Sequence, residues 1–577
     1  MANPRSLAAL GTLFALVACG GGGGGGGSTP PPPSTPSTAV LSVSLSGGAA
    51  SGIDHLWVTV TGVALHASAT HVYGDGDAGW VTLALATPLT VDLADPKLAN
   101  GGAMSLLRQS VDALGTFAQL RLLLAPSDPG YPLTASASAK GLQFNDQVQF
   151  TDTSGSHVVP LETPDTQAGL RLLTPFNLNA DTTTPLAIEI NASALARRTS
   201  VAGADRFTLR NELQLYNQQL LTALGDGNLQ IDGSVFDSIS GQLATTNFCT
   251  DTSHAGCIHD VVASATSLSP DGRFHTEVRS VNVSAAGTFL LYPLPSQSLY
   301  DVVIHGGNMQ TIVVHNVFVD PTGILKPAPT ALSSAATPLV PVLDTSERSV
   351  TLANALLPGS SRVYFGQTVA GSGGSAADIP YAIVAAAADP ATGRLVQALT
   401  LPGGPIHCAQ FNTATDGNGT PPAFATVTPT EGASAWTAWS QGTLATSTSP
   451  TTSLASGSTS LNVPDPVARA GFTAGTLSVT LSGSPSNSPD HAELIVSNDG
   501  GTVSVVDVTA LIASHGGTTS VSLPSGNVTA APGATVYGVA LRTWLAASET
   551  TSTRWSRGTM PVDLSTATTG SVNIALP

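Results

Sequence analysis

The stretch HLWVTVTGVALHA, His55 to Ala67, changes phase partway along its length. Leu56, Val58 and Val60 share one face of an extended chain, and Val63 and Leu65 then continue the apolar set one residue late. Alternation with period two marks a strand with one buried face. Gly62 sits at the slip, where one extra residue restores the buried face, so the spacing predicts a β-bulge or sharp bend at that glycine.

The same alternation extends on both sides. In VLSVSLSGG, Val40 to Gly48, the residues Leu41, Val43 and Leu45 take one face and Ser42, Ser44 and Ser46 the other, which predicts a half-buried strand. Further strands are legible at GWVTLAL, PLTVDLA and AQLRLLLAP, the last with Leu120, Leu122 and Leu124 on one face. Charged residues make up only 10% of the chain, against roughly 25% in ordinary soluble domains, while Gly (59) and Pro (40) are plentiful. Such a chain reads as all-β: several tandem antiparallel β-sandwich domains, Ig-like or transthyretin-like. At about 150 residues per domain, three to four are expected.

The N-terminus carries an address. An apolar run from Leu7 to Val17 follows the single Arg5, a length that suits a signal-peptide core and falls short of a bilayer span. It ends in Leu16-Val17-Ala18-Cys19, which resembles the lipobox of bacterial lipoproteins. That resemblance implies cleavage after residue 18, a diacylglyceryl group and an amide-linked palmitate-class chain on Cys19, and an anchor in the membrane. Gly20 follows the cysteine, where the lipoprotein family uses aspartate for inner-membrane retention, so the outer membrane is the expected location. Residues 20–38 are a glycine run and then a proline run. Glycine brings entropy and proline an extended path, so the segment reads as a tether reaching on the order of 60 Å.

Four blocks in order, GIDHLWVTVTGVALH, GWVTL, PLTVDL and FAQLRLLLAP, resemble the bacterial domain-of-unknown-function 4382 family of envelope lipoproteins. That resemblance covers residues 39–224 and implies architecture and address, with no reaction to carry over. In a second block, Gly287-Thr-Phe289, Leu294-Pro295 and Tyr300-Asp301-Val302 resemble carboxypeptidase-regulatory-like domains, small transthyretin-like sandwiches that serve as accessory scaffolds. The expected organisation is a signal peptide at 1–18, lipidated Cys19 and tether at 19–38, and the first β domain at 39–224. A sandwich at 225–325, a linker at 326–341, a β-rich domain at 342–466 and a C-terminal sandwich at 470–577 complete it. The last opens on GTLSVTLSG, where Leu477, Val479 and Leu481 repeat the alternation of the first strand.

The balance of 20 Lys+Arg against 37 Asp+Glu, a net charge of −17, repels nucleic acid and excludes it as a partner. Apart from Cys19 the cysteines are Cys249, Cys257 and Cys408. In an oxidising envelope the close pair in CTDTSHAGC is expected as a disulfide, leaving Cys408 buried or rarely reactive. His254, His259 and Asp260 crowd the same segment, but their spacing matches no zinc pattern. Asp75, Asp77, Asp226, Asn228 and Asp232 stand in glycine-rich turns and are weak calcium candidates, because no closing bidentate glutamate follows; turn chemistry explains them directly. Trp436 and Trp439 are either core residues or a stacking platform for a sugar ring.

No G-x-S-x-G, H-E-x-x-H, P-loop or dinucleotide glycine pattern occurs, so no catalytic residue and no cofactor is assigned. The favoured reading is a non-enzymatic outer-membrane lipoprotein that binds or organises a glycan or protein at the envelope. The alternatives are a tethered polysaccharide or peptide hydrolase, with the 342–466 region as the place to look, or a glycan-binding lectin.

Overall fold

A computed structural model describes residues 37–577, apart from 48–51, 163–168, 191–195, 218–236, 319–329, 356–361, 370–378, 412–429, 447–459 and shorter breaks. The leader, Cys19, residues 20–36 of the tether, and Asp75, Asp226, Asn228 and Asp232 lie outside the described residues. Among the described residues 63% are strand and 4% helix, spread over many separate sheets, which makes this an all-β protein of tandem sandwiches. Among the described residues no helix is long and apolar enough to cross a membrane.

The first body packs two sheets over one core. Ala39–Gly47 runs parallel to Thr183–Ile190 and antiparallel to Ala103–Val111 in a four-stranded sheet. The facing eight-stranded sheet is centred on His55–His66, which pairs with Val81–Asp92, Gln119–Leu124 and Gln147–Asp152. Leu56, Val58, Val60, Val63 and Leu65 all enter the same core. The register shifts between Val60 and Gly62 against both Val81–Asp92 and Gln119–Leu124, which is the bulge that the sequence spacing calls for. A Cβ on Gly62 would lie 2.7 Å from the Leu83 carbonyl oxygen, so the close strand approach needs glycine there.

The opening strand is buried more fully than its pattern predicts. Leu41, Val43 and Leu45 are in the core, but Ser44 and Ser46 are also only 1% exposed. Ser46 is registered with Glu189, and Arg279 of the next body pairs with that glutamate, so the serine face is covered by the neighbour.

Regions 225–325 and 342–466 share one eleven-stranded sheet. Ile312–Phe318 pairs in parallel with Ile406–Gln410, and His275 in His275–Asn282 is registered with Tyr381 in Pro380–Ala387. Pairing of this kind removes strand edges that would otherwise stay exposed. Alternate residues of the shared strands feed two cores: Val302, Ile304 and Val314 enter one, Val303 and Val313 the other. Part of the segment expected as a linker belongs to this body too. Thr330–Ala331 pairs in parallel with Asp237–Gln242, and Leu332 and Leu339 are buried in the first of these cores, because two leucines cannot be left in water at no cost.

The last body repeats the first one's opening move. Thr473–Ser482 runs parallel to the terminal Thr569–Ala575 and antiparallel to Gly516–Ser525. Leu477, Val479 and Leu481 point into its core, opposite a sheet built on His491–Asn498 and Val536–Trp544.

Candidate functional site

Within the middle body several titratable side chains converge on Asp301. It lies in Leu299–Gly307 at a register shift between Tyr300 and Val302, opposite Ile312–Phe318. The irregularity puts Asn316 at φ 55°, and its amide N–H donates to Asp301 Oδ1 at 2.7 Å. The Tyr381 hydroxyl donates to Asp301 Oδ2 at 2.7 Å and lies 2.9 Å from His315 Nδ1. His275 and His315 each place Nδ1 3.5 Å from the same Oδ2. The His275 ring stacks on Tyr381 with centroids 4.2 Å apart.

Cys408 completes the group. It is registered with Val313, two residues before His315 on the same strand face, and its thiol engages the His315 ring.

The electrostatics follow from these contacts. Burial pulls His315 down, but Asp301 and Cys408 outweigh it and raise the imidazole to about 9. Burial pushes Asp301 up, while the bonds from His315, Tyr381 and the Asn316 amide hold it below the usual carboxylate range. Burial lowers His275. The result is an imidazolium between a carboxylate and a thiol, the order of groups that activates a cysteine nucleophile. Its setting is that of a core, however: Tyr381 is fully buried, and Val303, Val313 and Phe365 of the adjoining cluster surround the same face. The chemistry it performs most directly is to tie five strand segments together.

Cys249 and Cys257 form a disulfide, as their spacing suggests. Beside it His254 and His259 stack with ring centroids 4.2 Å apart, and His259 Nδ1 lies 3.0 Å from Asp260 Oδ2. Trp436 and Trp439 point to opposite sides of Ser434–Gln441 and are 5% and 1% exposed. Neither offers a ring face to a sugar, because both are packed: Trp439 stacks on Phe274 and Tyr364, and Trp436 enters the core. Asp77 accepts from the Gly79 amide at 2.6 Å, as a turn aspartate does.

The sequence singles out Cys408 and places Asp301 in a domain signature, but nothing in it joins either residue to His275, His315 or Tyr381. No spacing signal could have joined these residues, because they come together only through strand pairing.

No curated protein matches the chain. Among solved structures it is similar to the TIE protein of Bacillus anthracis, at 8% identity over 91% of this chain and 69% of that one, with a TM-score of 0.14. It is similar to a cell adhesion protein of Parabacteroides distasonis, at 10% identity over 54% of this chain and 97% of that one, with a TM-score of 0.13. A third likeness is to the major pilin SpaA of Corynebacterium diphtheriae, at 11% identity over 59% and 98% of the two chains, with a TM-score of 0.11. Residues 38–210, the first body with its bulged central strand, match the family described as a domain of unknown function, DUF4382.

Proposed function

We propose that this chain is an outer-membrane lipoprotein, anchored through Cys19, whose strand bodies bind or organise a glycan or protein partner at the envelope without a reaction of their own. The observation that carries this reading is the inward-facing Asp301 group. Its carboxylate accepts from Tyr381 and the Asn316 amide with two imidazole nitrogens 3.5 Å away, and Tyr381 and Cys408 pack against a core. The apolar leader, the cysteine and the glycine–proline tether support the anchor. Residues 225–325 act as an accessory scaffold of the carboxypeptidase-regulatory-like type in this reading.

The test is metabolic labelling with a radioactive fatty acid, alongside detergent-phase partitioning, of wild type and Cys19→Ala. Label and detergent partitioning should vanish together in the variant; equal partitioning of the two proteins overturns the anchor. A second reading, a tethered hydrolase, is favoured by one observation, the order Asp301, His315, Cys408. Rapid labelling of Cys408 by iodoacetamide in the folded chain, at a rate above that of free cysteine, would favour it.

A further inference from the structure

The long central strand of the first body ends at His66, and the turn that follows brings two imidazoles to one carboxylate. His66 Nε2 lies 3.1 Å from Asp77 Oδ1, and His71 Nδ1 lies 3.9 Å from Asp77 Oδ2. One donor atom from each of the three residues lies within 4.8 Å of the others. We propose that His66, His71 and Asp77 form a binding site for a divalent transition metal of the zinc class.

The ring geometry separates this group from the His254–His259 pair beside the disulfide. A metal bound through an imidazole nitrogen lies close to the plane of that ring. The His66 and His71 rings are tilted by 46° with centroids 4.7 Å apart, so their planes intersect. His254 and His259 stack at 10° with centroids 4.2 Å apart, and ring planes so nearly parallel do not converge on an ion close to both. A tetrahedral zinc with bonds of about 2.1 Å sets its ligand atoms roughly 3.4 Å apart. The His66–Asp77 separation is already close to that, and His71 must draw in toward the other two to complete the set.

The groups behind the donors are placed as a metal site requires. The Ser68 amide donates to His66 Nδ1 at 2.9 Å, and the Ser68 carbonyl lies 3.2 Å from the same nitrogen. As an acceptor Nδ1 carries no hydrogen, so the ring proton sits on Nε2 toward Asp77; binding a metal through Nε2 moves that proton to Nδ1, where the Ser68 carbonyl can accept it. Gln119 Nε2 donates to the carbonyls of Ser68 at 2.6 Å and His71 at 2.8 Å, fixing the turn to the neighbouring strand. Arg121 directs its guanidinium to the Gln119 and His71 oxygens and to the Trp80 ring. The Gly79 amide donates to Asp77 Oδ1 at 2.6 Å and fixes the carboxylate beside the two imidazoles.

Two nitrogens and one oxygen suit zinc, copper(II) or nickel better than calcium, which wants oxygen alone. His66 is buried at 7% side-chain exposure, while His71 and Asp77 are 40% and 38% exposed. The outer side of the site faces solvent, so a coordination position stays open for water or a ligand donor.

The test uses the full chain, purified in detergent, stripped with chelator and titrated with zinc chloride by calorimetry, and separately with cobalt(II) read by its visible absorption. One equivalent should bind, with Trp80, whose ring lies 4.8 Å from that of His66, reporting copper(II) by quenching. His71→Ala and Asp77→Asn, both at exposed positions, should each weaken zinc binding by about 10- to 100-fold with the thermal midpoint in chelator unchanged. His254→Ala and Cys408→Ser should bind as the wild type does. Absence of stoichiometric binding below millimolar zinc, or binding that survives both His71→Ala and Asp77→Asn, overturns the proposal.

Discussion

Glu189 and Arg279 meet as an ion pair across the seam between the first and middle bodies, with the arginine side chain fully buried and the glutamate 8% exposed. The guanidinium also donates to the Gly47 carbonyl at 3.3 Å. Burial pulls Arg279 down to about 9, which leaves it a cation at neutral pH, and Glu189 supplies the countercharge. Arg542 of the last body reaches Glu162 of the first at 3.3 Å in a similar buried setting. The bodies are therefore joined by paired charges taken out of water, and each charge is costly to leave alone.

Arg279→Met should accordingly destabilise the chain by about 3–5 kcal/mol, because Glu189 is left as an uncompensated buried carboxylate. The double variant Arg279→Met with Glu189→Leu should recover most of that loss, since no charge remains in the seam. Urea unfolding of the three proteins measures both numbers. A double variant as unstable as the single one would show that the arginine acts by shape and not by charge.

Gly62→Ala tests the bulge. The added methyl meets the Leu83 carbonyl oxygen at 2.7 Å and the Ala84 Cα at 3.1 Å, and backbone on the paired strand cannot step aside as a flexible side chain would. A loss of about 1–3 kcal/mol is expected, read as a lower urea midpoint. An unchanged midpoint would mean that the strand pair opens freely at the slip.

Local features were legible in the sequence because they are written in neighbouring residues. Leu56 to Leu65 announced both the strand and its slip, and the Leu41, Val43, Leu45 series announced the inward face. The spacing of Cys249 and Cys257 announced the disulfide. What covers the serine face of Ala39–Gly47 was not legible, because Arg279 arrives from another body. The fusion of two expected domains into one sheet depends on edges meeting in parallel, for which alternation carries no partner information. Asp301 gathers His275, His315, Tyr381 and Cys408 for the same reason, and Asp77 gathers His66 and His71 only after the chain has turned back on itself.

The Asp301 group gives the middle body a pH optimum whose sign can be worked out. His315 is raised to about 9 from an unfolded value of about 6.5, so its contribution is complete below pH 6.5 and is lost as pH rises through 9. Asp301 is lowered, so its contribution is present above about 3.8 and is lost on acidification. His275 is lowered by burial, so it favours the folded state above about 6.5 and opposes it as pH falls. Together these place maximal stability near pH 6.5, with a fall on each side. His315→Gln should flatten the alkaline fall and, because the His315 bond also helps hold Asp301 low, lessen the acid one. Urea midpoints taken between pH 4.5 and 9 check both, and an alkaline fall retained in the variant would assign it to other groups.

Trp439 decides between a core role and sugar binding for the aromatic pair. It is 1% exposed and stacks on Phe274 at 4.9 Å and Tyr364 at 5.7 Å, while Gly366 on the paired strand leaves room for its ring edge. Trp439→Ala removes a large ring from a closed space and should cost about 3–5 kcal/mol. Trp439→Phe, which keeps most of the stack, should cost far less. A sugar-stacking tryptophan would behave in the opposite way, because its loss would leave the unfolding midpoint in place and abolish retention on a glycan column. Comparing midpoint and retention in the same two variants therefore separates the two roles, and a Trp439→Ala protein of wild-type stability would remove the residue from the core.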